Sequence, residues 1–257
     1  MTVTIAIAGK GGVGKTTVSG LIIETLRRQG KGPILAIDAD PNATLAAVLG
    51  LDVKITLGEL QAETLAKIRE LPSGVPLGRH IEYELHQAVV EGDGVDLLTM
   101  GRGEGPGCYC AVNSILRRCL ENLSADYPYV LLDNEAGLEH LSRRVSQDVD
   151  ALLVVSDGSP VALRAASRIN RLVDALTLNP IRRGLMLNNL RSELGSKGIE
   201  VLQESGLEVL GSFEHHEGIA QLTLEERPLT ELSTDDPMIR KMEAVLDELA
   251  QHFGEDS

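Results

Sequence analysis

A glycine-rich loop between a strand-like run and a helix-like run leaves this chain few folds to choose from. Val3–Ala8 is a short apolar run and Val18–Arg28 has helical spacing; between them stands Gly9-Lys10-Gly11-Gly12-Val13-Gly14-Lys15-Thr16-Thr17. Residues 9–16 fit the pattern G-x-x-x-x-G-K-[ST]. Its glycines let successive backbone N–H groups turn towards phosphate oxygens, and the following helix adds the positive end of its dipole. The strand before and the helix after distinguish it from a chance glycine-rich turn. The pattern predicts a nucleotide cradle made of Gly11, Gly12, Val13, Gly14, Lys15, Thr16 and Thr17. Lys15 is expected to neutralise β- and γ-phosphate charge, and the Thr16 hydroxyl to complete the coordination of Mg²⁺. ATP or ADP with Mg²⁺ are therefore the expected cofactors.

The rest of the chain repeats the strand-then-helix alternation. Strands are expected at Pro33–Asp38, Val95–Met100, Tyr129–Asp133, Ala151–Ser156, Gly184–Asn188 and Glu208–Phe213. Helices are expected at Thr56–Leu71, Gly78–Val90, Asn113–Leu123, Val161–Leu176, Lys197–Ser205 and Pro237–His252. Continuous apolar strand cores such as Ala151-Leu152-Leu153-Val154-Val155 belong to strands buried on both faces. The expected fold is α/β: one P-loop NTPase domain over residues 1–257, with a mainly parallel sheet of about seven or eight strands and helices on both faces. In such sheets ligands bind beyond the carboxyl ends of the strands. Each motif follows a predicted strand, so all of them should gather on one edge.

Charge and length narrow the partners. The 257 residues carry a formal net charge of −14, which argues against affinity for nucleic acid or an anionic membrane. No run approaches the roughly 20 apolar residues of a membrane span. The N-terminus has no basic region ahead of an apolar run, so no signal peptide is expected. The three cysteines, Cys108, Cys110 and Cys119, fit a reducing cytoplasm.

Lys10 adds a second lysine inside the loop. The form G-K-G-G-x-G-K-T-T resembles the deviant Walker A family of dimerising ATPases, which includes nitrogenase iron protein, the cell-division and plasmid-partition ATPases and the arsenite-pump ATPase. The resemblance implies a homodimer in which Lys10 completes the partner's site. It also marks two switches. Ile37-Asp38-Ala39-Asp40-Pro41-Asn42 resembles the first, with Asp40 on the attacking water and Asp38 behind the Mg²⁺ shell. Leu131-Leu132-Asp133-Asn134-Glu135-Ala136-Gly137 resembles the second, with Asp133 as the metal-linked carboxylate and the Gly137 N–H offered to the γ-phosphate. Lys10, Lys15, Asp40 and Asp133 are thus the expected catalytic set. An asparagine ending a late strand contacts adenine in that family, which points to Asn188.

Gly105-Pro106-Gly107-Cys108-Tyr109-Cys110 follows the third expected strand on the same edge. By residue type alone this pair is a metal site, a redox pair or incidental. Two thiolates are too few for a closed tetrahedral site, but two chains about a two-fold axis supply four. Such a site suits Zn²⁺, Cu⁺ or square-planar Ni²⁺. Gly-Cys-Tyr-Cys together with Asp-x-Glu-Ala-Gly-x-Glu-His resembles the CooC-type accessory ATPases. That resemblance implies Ni²⁺ (or Zn²⁺ in its place) held by Cys108 and Cys110 of two chains. It further implies ATP-driven nickel delivery to a client, carbon monoxide dehydrogenase or acetyl-CoA synthase. Ala136 lies about where an iron-protein cluster would need a second cysteine, which argues against a bridging cluster of that type. Cys119 shares helical spacing with Ile115, Leu116, Leu120 and Leu123 and reads as core. Two other classes compete: a spatial-organising ATPase on membrane or DNA, and a thiol-regulated ATPase.

Overall fold

The computed structural model describes residues 2–67, 77–101, 110–135, 149–176 and 178–253. Its centre is one sheet of eight strands among the described residues: β1 (Val3–Gly9), β2 (Ile34–Asp38), β3 (Val89–Glu91), β4 (Val95–Thr99), β5 (Tyr129–Asp133), β6 (Ala151–Ser156), β7 (Arg182–Leu190) and β8 (Val209–Glu214). They lie in the order β3-β4-β2-β5-β1-β6-β7-β8. Every pairing is parallel except β3 with β4. The chain winds one way through β2 and β4 and the other way through β6, β7 and β8. The reversal therefore falls at β5-β1-β6, where a sheet of this kind opens a crevice at its carboxyl ends.

The helices are α1 (Lys15–Arg28), α2 (Leu45–Leu49), α3 (Leu57–Lys67), α4 (Leu77–Ala88), α5 (Cys110–Ala125), α6 (Pro160–Ala175), α7 (Ser196–Ser205), α8 (Glu217–Leu224) and α9 (Pro237–Phe253), with a 3₁₀ turn at Leu229–Glu231. Alternate strand residues face two separate cores. Ile5, Ile7, Ile34, Ala36, Leu97, Leu131 and Leu153 pack with α1 and α9 on one face. Ala6, Ala8, Leu35, Ile37, Leu98, Leu132 and Val154 pack with α4, α5 and α6 on the other. This two-sided burial is why the central strands read as unbroken apolar runs. Cys119 is partly buried against the second core.

The expected strands all form, and the sheet gains one more. Val89 and Val90 continue the helical apolar spacing, yet α4 stops at Ala88 because Val89–Glu91 pairs antiparallel with β4, Val89 opposite Leu98. Helices α2 and α8 span five and eight residues, too short to show a period. The apolar stripe of α9 is spent inside the molecule: Met238, Ile239, Met242, Val245, Leu246 and Leu249 are all buried.

Candidate functional site

The loop from Gly9 to Gly14 leaves the carboxyl end of β1 and runs straight into α1. Only Gly fits at two of its corners. Gly9 has φ +152°, and a Cβ there would stand 2.5 Å from the Val155 carbonyl oxygen of neighbouring β6. Gly14 caps α1 in the left-handed conformation, φ 88°, and a Cβ there would strike the Asn188 amide nitrogen. At Gly11 and Gly12 a Cβ would meet nothing within 4 Å, which leaves an open concavity lined by backbone N–H groups. The first turn of α1 adds its unsatisfied N–H groups, and no side chain caps them. This cradle fits a nucleotide's phosphates.

Lys15 opens α1 and is buried beside Asp133, whose carboxylate its charge favours. Thr16 faces the first switch, with its Oγ1 3.3 Å from Thr44 Oγ1. Lys10 is exposed, and among the described residues its Nζ donates to the Gly11 carbonyl, 3.4 Å away. Its charge therefore stands at the solvent-exposed rim of the loop.

Asp38 and Asp133 occupy matching positions at the ends of adjacent strands. Each shares strand parity with the core on the α1 side, so both carboxylates face that helix. Both are fully buried. Asp38 clamps the segment that follows β2: Oδ1 accepts from the Asp40 N–H at 3.0 Å and Oδ2 from the Leu45 N–H at 2.9 Å. Asp40 accepts at Oδ1 from both the backbone and the side-chain amide of Asn42, each at 2.9 Å. Around the Asp133 carboxylate stand the Thr16 and Ser19 hydroxyls and the Lys15 ammonium, all of which favour its ionised form. Burial pushes Asp38 up to about 7 and Asp133 up to about 6 from the ordinary 3.8. Two buried acids and the Thr16 hydroxyl beside a phosphate cradle form a donor set that fits Mg²⁺. Bound there, Mg²⁺ would neutralise the charge that develops on the phosphates.

Asn188 ends the buried part of β7, and its Nδ2 donates to the Val13 carbonyl at 3.0 Å. The structure thus places it as a prop under the phosphate loop. Asn189 is exposed, with φ 57°, and its Oδ1 lies 2.7 Å from His215 Nδ1. His216 accepts from the Ile219 N–H and caps α8. Gly137, His140 and Cys108 lie outside the described residues, and of Cys110 the backbone alone is described, as the first residue of α5.

Sequence reasoning missed three polar residues here. Thr44 meets Thr16, Ser19 is fully buried beside Asp133, and Thr99 is fully buried on the α1 side with a hydroxyl that has no partner among the described residues. Ser19 was findable, standing one helical turn after Lys15. Thr99 was findable as the polar end of an apolar strand.

Three comparisons bear on this arrangement. The model of the CobQ/CobB/MinD/ParA nucleotide binding domain matches residues 4–229. An uncharacterized ATP-binding protein of Methanocaldococcus jannaschii is 36% identical over 95% of this chain and 97% of its own length. The carbon monoxide dehydrogenase accessory protein CooC of Rhodospirillum rubrum is 31% identical over 69% of this chain and 71% of its own. Among solved structures, the septum site-determining protein MinD of Pyrococcus horikoshii, complexed with Mg-ADP, superposes with TM-score 0.71 at 22% identity, covering 100% of this chain and 99% of that one.

Proposed function

The chain belongs to the CobQ/CobB/MinD/ParA nucleotide-binding family of P-loop ATPases, and on that premise we propose that it is a metallochaperone ATPase. In this reading it closes as a homodimer around a metal ion and supports nickel insertion into a client enzyme. Lys15, Asp40 and Asp133 act on the nucleotide bound in the same chain, Thr16 ligates Mg²⁺, and Lys10 reaches the partner's nucleotide. Cys108 and Cys110 of two chains hold the metal.

The observation that carries this reading is placement. β4 ends at Thr99 on the nucleotide edge, and α5 begins at Cys110. In a parallel sheet the helix that leads to the next strand starts at the carboxyl edge. The segment bearing both cysteines therefore departs from and returns to the edge that holds the phosphate loop. The rim position of Lys10 supports a role across an interface. The likeness to CooC of Rhodospirillum rubrum, named as a carbon monoxide dehydrogenase accessory protein, supports nickel as the cargo and that enzyme class as the client. Burial of the apolar stripe of α9 counts against a spatial-organising ATPase that anchors through a C-terminal helix. No helix among the described residues is long and apolar enough to cross a membrane.

The test is metal titration with and without ATP or ADP, read by elemental analysis and by the mass of the assembly. About one Ni²⁺ per two chains is expected, lost in Cys108→Ser and Cys110→Ser. Unchanged metal content in those variants overturns the reading.

A further inference from the structure

Thr99 is fully buried, and its hydroxyl has no hydrogen-bond partner among the described residues. A buried, unpartnered hydroxyl costs on the order of 1–3 kcal/mol, and native proteins keep few of them without a reason. Its position supplies one. β4 pairs with β2 in register, Thr99 opposite Asp38, and β2 pairs with β5, Asp38 opposite Asp133. Residues in register on neighbouring strands stand about 5 Å apart on one face. Thr99, Asp38 and Asp133 therefore form one polar row on the α1 side, with Thr99 and Asp38 neighbours in it.

Asp38 is the residue that fixes the first switch, through the N–H groups of Asp40 and Leu45. Each of its oxygens can accept a second hydrogen bond. The backbone already ties the two strand ends together, because the Met100 N–H donates to the Asp38 carbonyl at 2.8 Å. Gly101, two residues beyond Thr99, is held against Thr56, which a Cβ there would strike at 2.5 Å. The strand end that carries the hydroxyl is thus packed in place.

We propose that Thr99 is a positioning residue for ATP hydrolysis: its hydroxyl donates to Asp38 when the nucleotide-bound switch forms, steering Asp38 and through it the Asp40 carboxylate. The proposal rests on the reading of Asp40 as the water-orienting group.

The test compares Thr99→Val, which keeps the shape and loses the hydroxyl, with Thr99→Ser, which keeps the hydroxyl. Removing a buried, unpartnered hydroxyl leaves the melting temperature unchanged or raises it. The expected result is a kcat for ATP reduced about 5- to 20-fold in Thr99→Val, with KM and Mg-ADP affinity within about twofold, and recovery in Thr99→Ser; such a loss corresponds to about 1–2 kcal/mol. A Thr99→Val kcat within twofold of the parent overturns the proposal. So does a loss of kcat matched by a fall in melting temperature that Thr99→Ser fails to rescue. Asp40→Asn separates the two readings. If it hydrolyses ATP normally, the assignment of Asp40 fails and the proposal with it. If it is inactive while Thr99→Val is normal, only the role of Thr99 fails.

Discussion

Raising the pH in the absence of metal should destabilise this protein, and Asp38 should be a main cause. Burial raises the Asp38 carboxyl from 3.8 to about 7 and that of Asp133 from 3.8 to about 6. The unfolded chain releases both protons near pH 4, while the folded chain holds them. Folded protein therefore binds more protons across this window, and unfolding free energy falls as pH rises. The stabilisation is complete below about pH 4 and is lost as the pH passes 7. For Asp38 the change from 3.8 to about 7 corresponds to about 4 kcal/mol at 1.36 kcal/mol per pH unit.

In a domain of this size each kcal/mol moves the melting temperature by about 2–4 °C. Between pH 5 and 7.5, measured in EDTA, the parent should lose on the order of 5–10 °C more than Asp38→Asn, whose side chain carries no titrating proton. The −14 net charge also weakens the fold at higher pH, but it acts on both proteins, so the difference in slope is the readout. Mg²⁺ with ADP selects the ionised carboxylates and should stabilise the parent more at pH 7.5 than at pH 5.5. Equal slopes for parent and variant would refute the assignment of the proton to Asp38.

Gly14→Ala forces a side chain into φ 88° and pushes the Asn188 amide off the Val13 carbonyl. Left-handed backbone alone costs about 1–2 kcal/mol, so calorimetry should show ADP affinity falling at least about tenfold, and parental affinity would contradict the geometry. Lys10→Ala should keep ADP binding, because Lys10 stands outside the cradle, but lose ATP-dependent dimerisation by light scattering. A variant that dimerises normally refutes the role across the interface.

The fold was legible wherever one physical signal dominated. Strands buried on both faces must be apolar throughout, so Tyr129–Asp133 and Ala151–Ser156 declared themselves. The signal failed where two local readings agree and a distant contact decides. Val89 and Val90 extend the spacing of α4 and also suit a strand; pairing with β4 settles the matter. α2 is five residues long and begins where the Leu45 N–H meets Asp38, seven residues earlier. No periodicity reports such a helix.

The site shows the same division at finer scale. The phosphate loop, Asp38 and Asp133 were visible because their chemistry is written in consecutive residues after a strand. What joins them is not. Asn188 reaches Val13 across 175 positions, and Thr99 stands beside Asp38 only through the register of β4 on β2. These links carry the physics that a motif omits. The fold buries two acids, Asp38 and Asp133, at the carboxyl edge of the sheet, and burial raises the pKa of both. The carboxyl ends of β2, β4 and β5, which carry Asp38, Thr99 and Asp133, stand in register beside the end of β1 that carries the phosphate loop. Under the proposed function, such an edge would couple the state of the nucleotide to the segments that follow these strands, as a dimer that gathers thiolates around a metal on ATP binding requires.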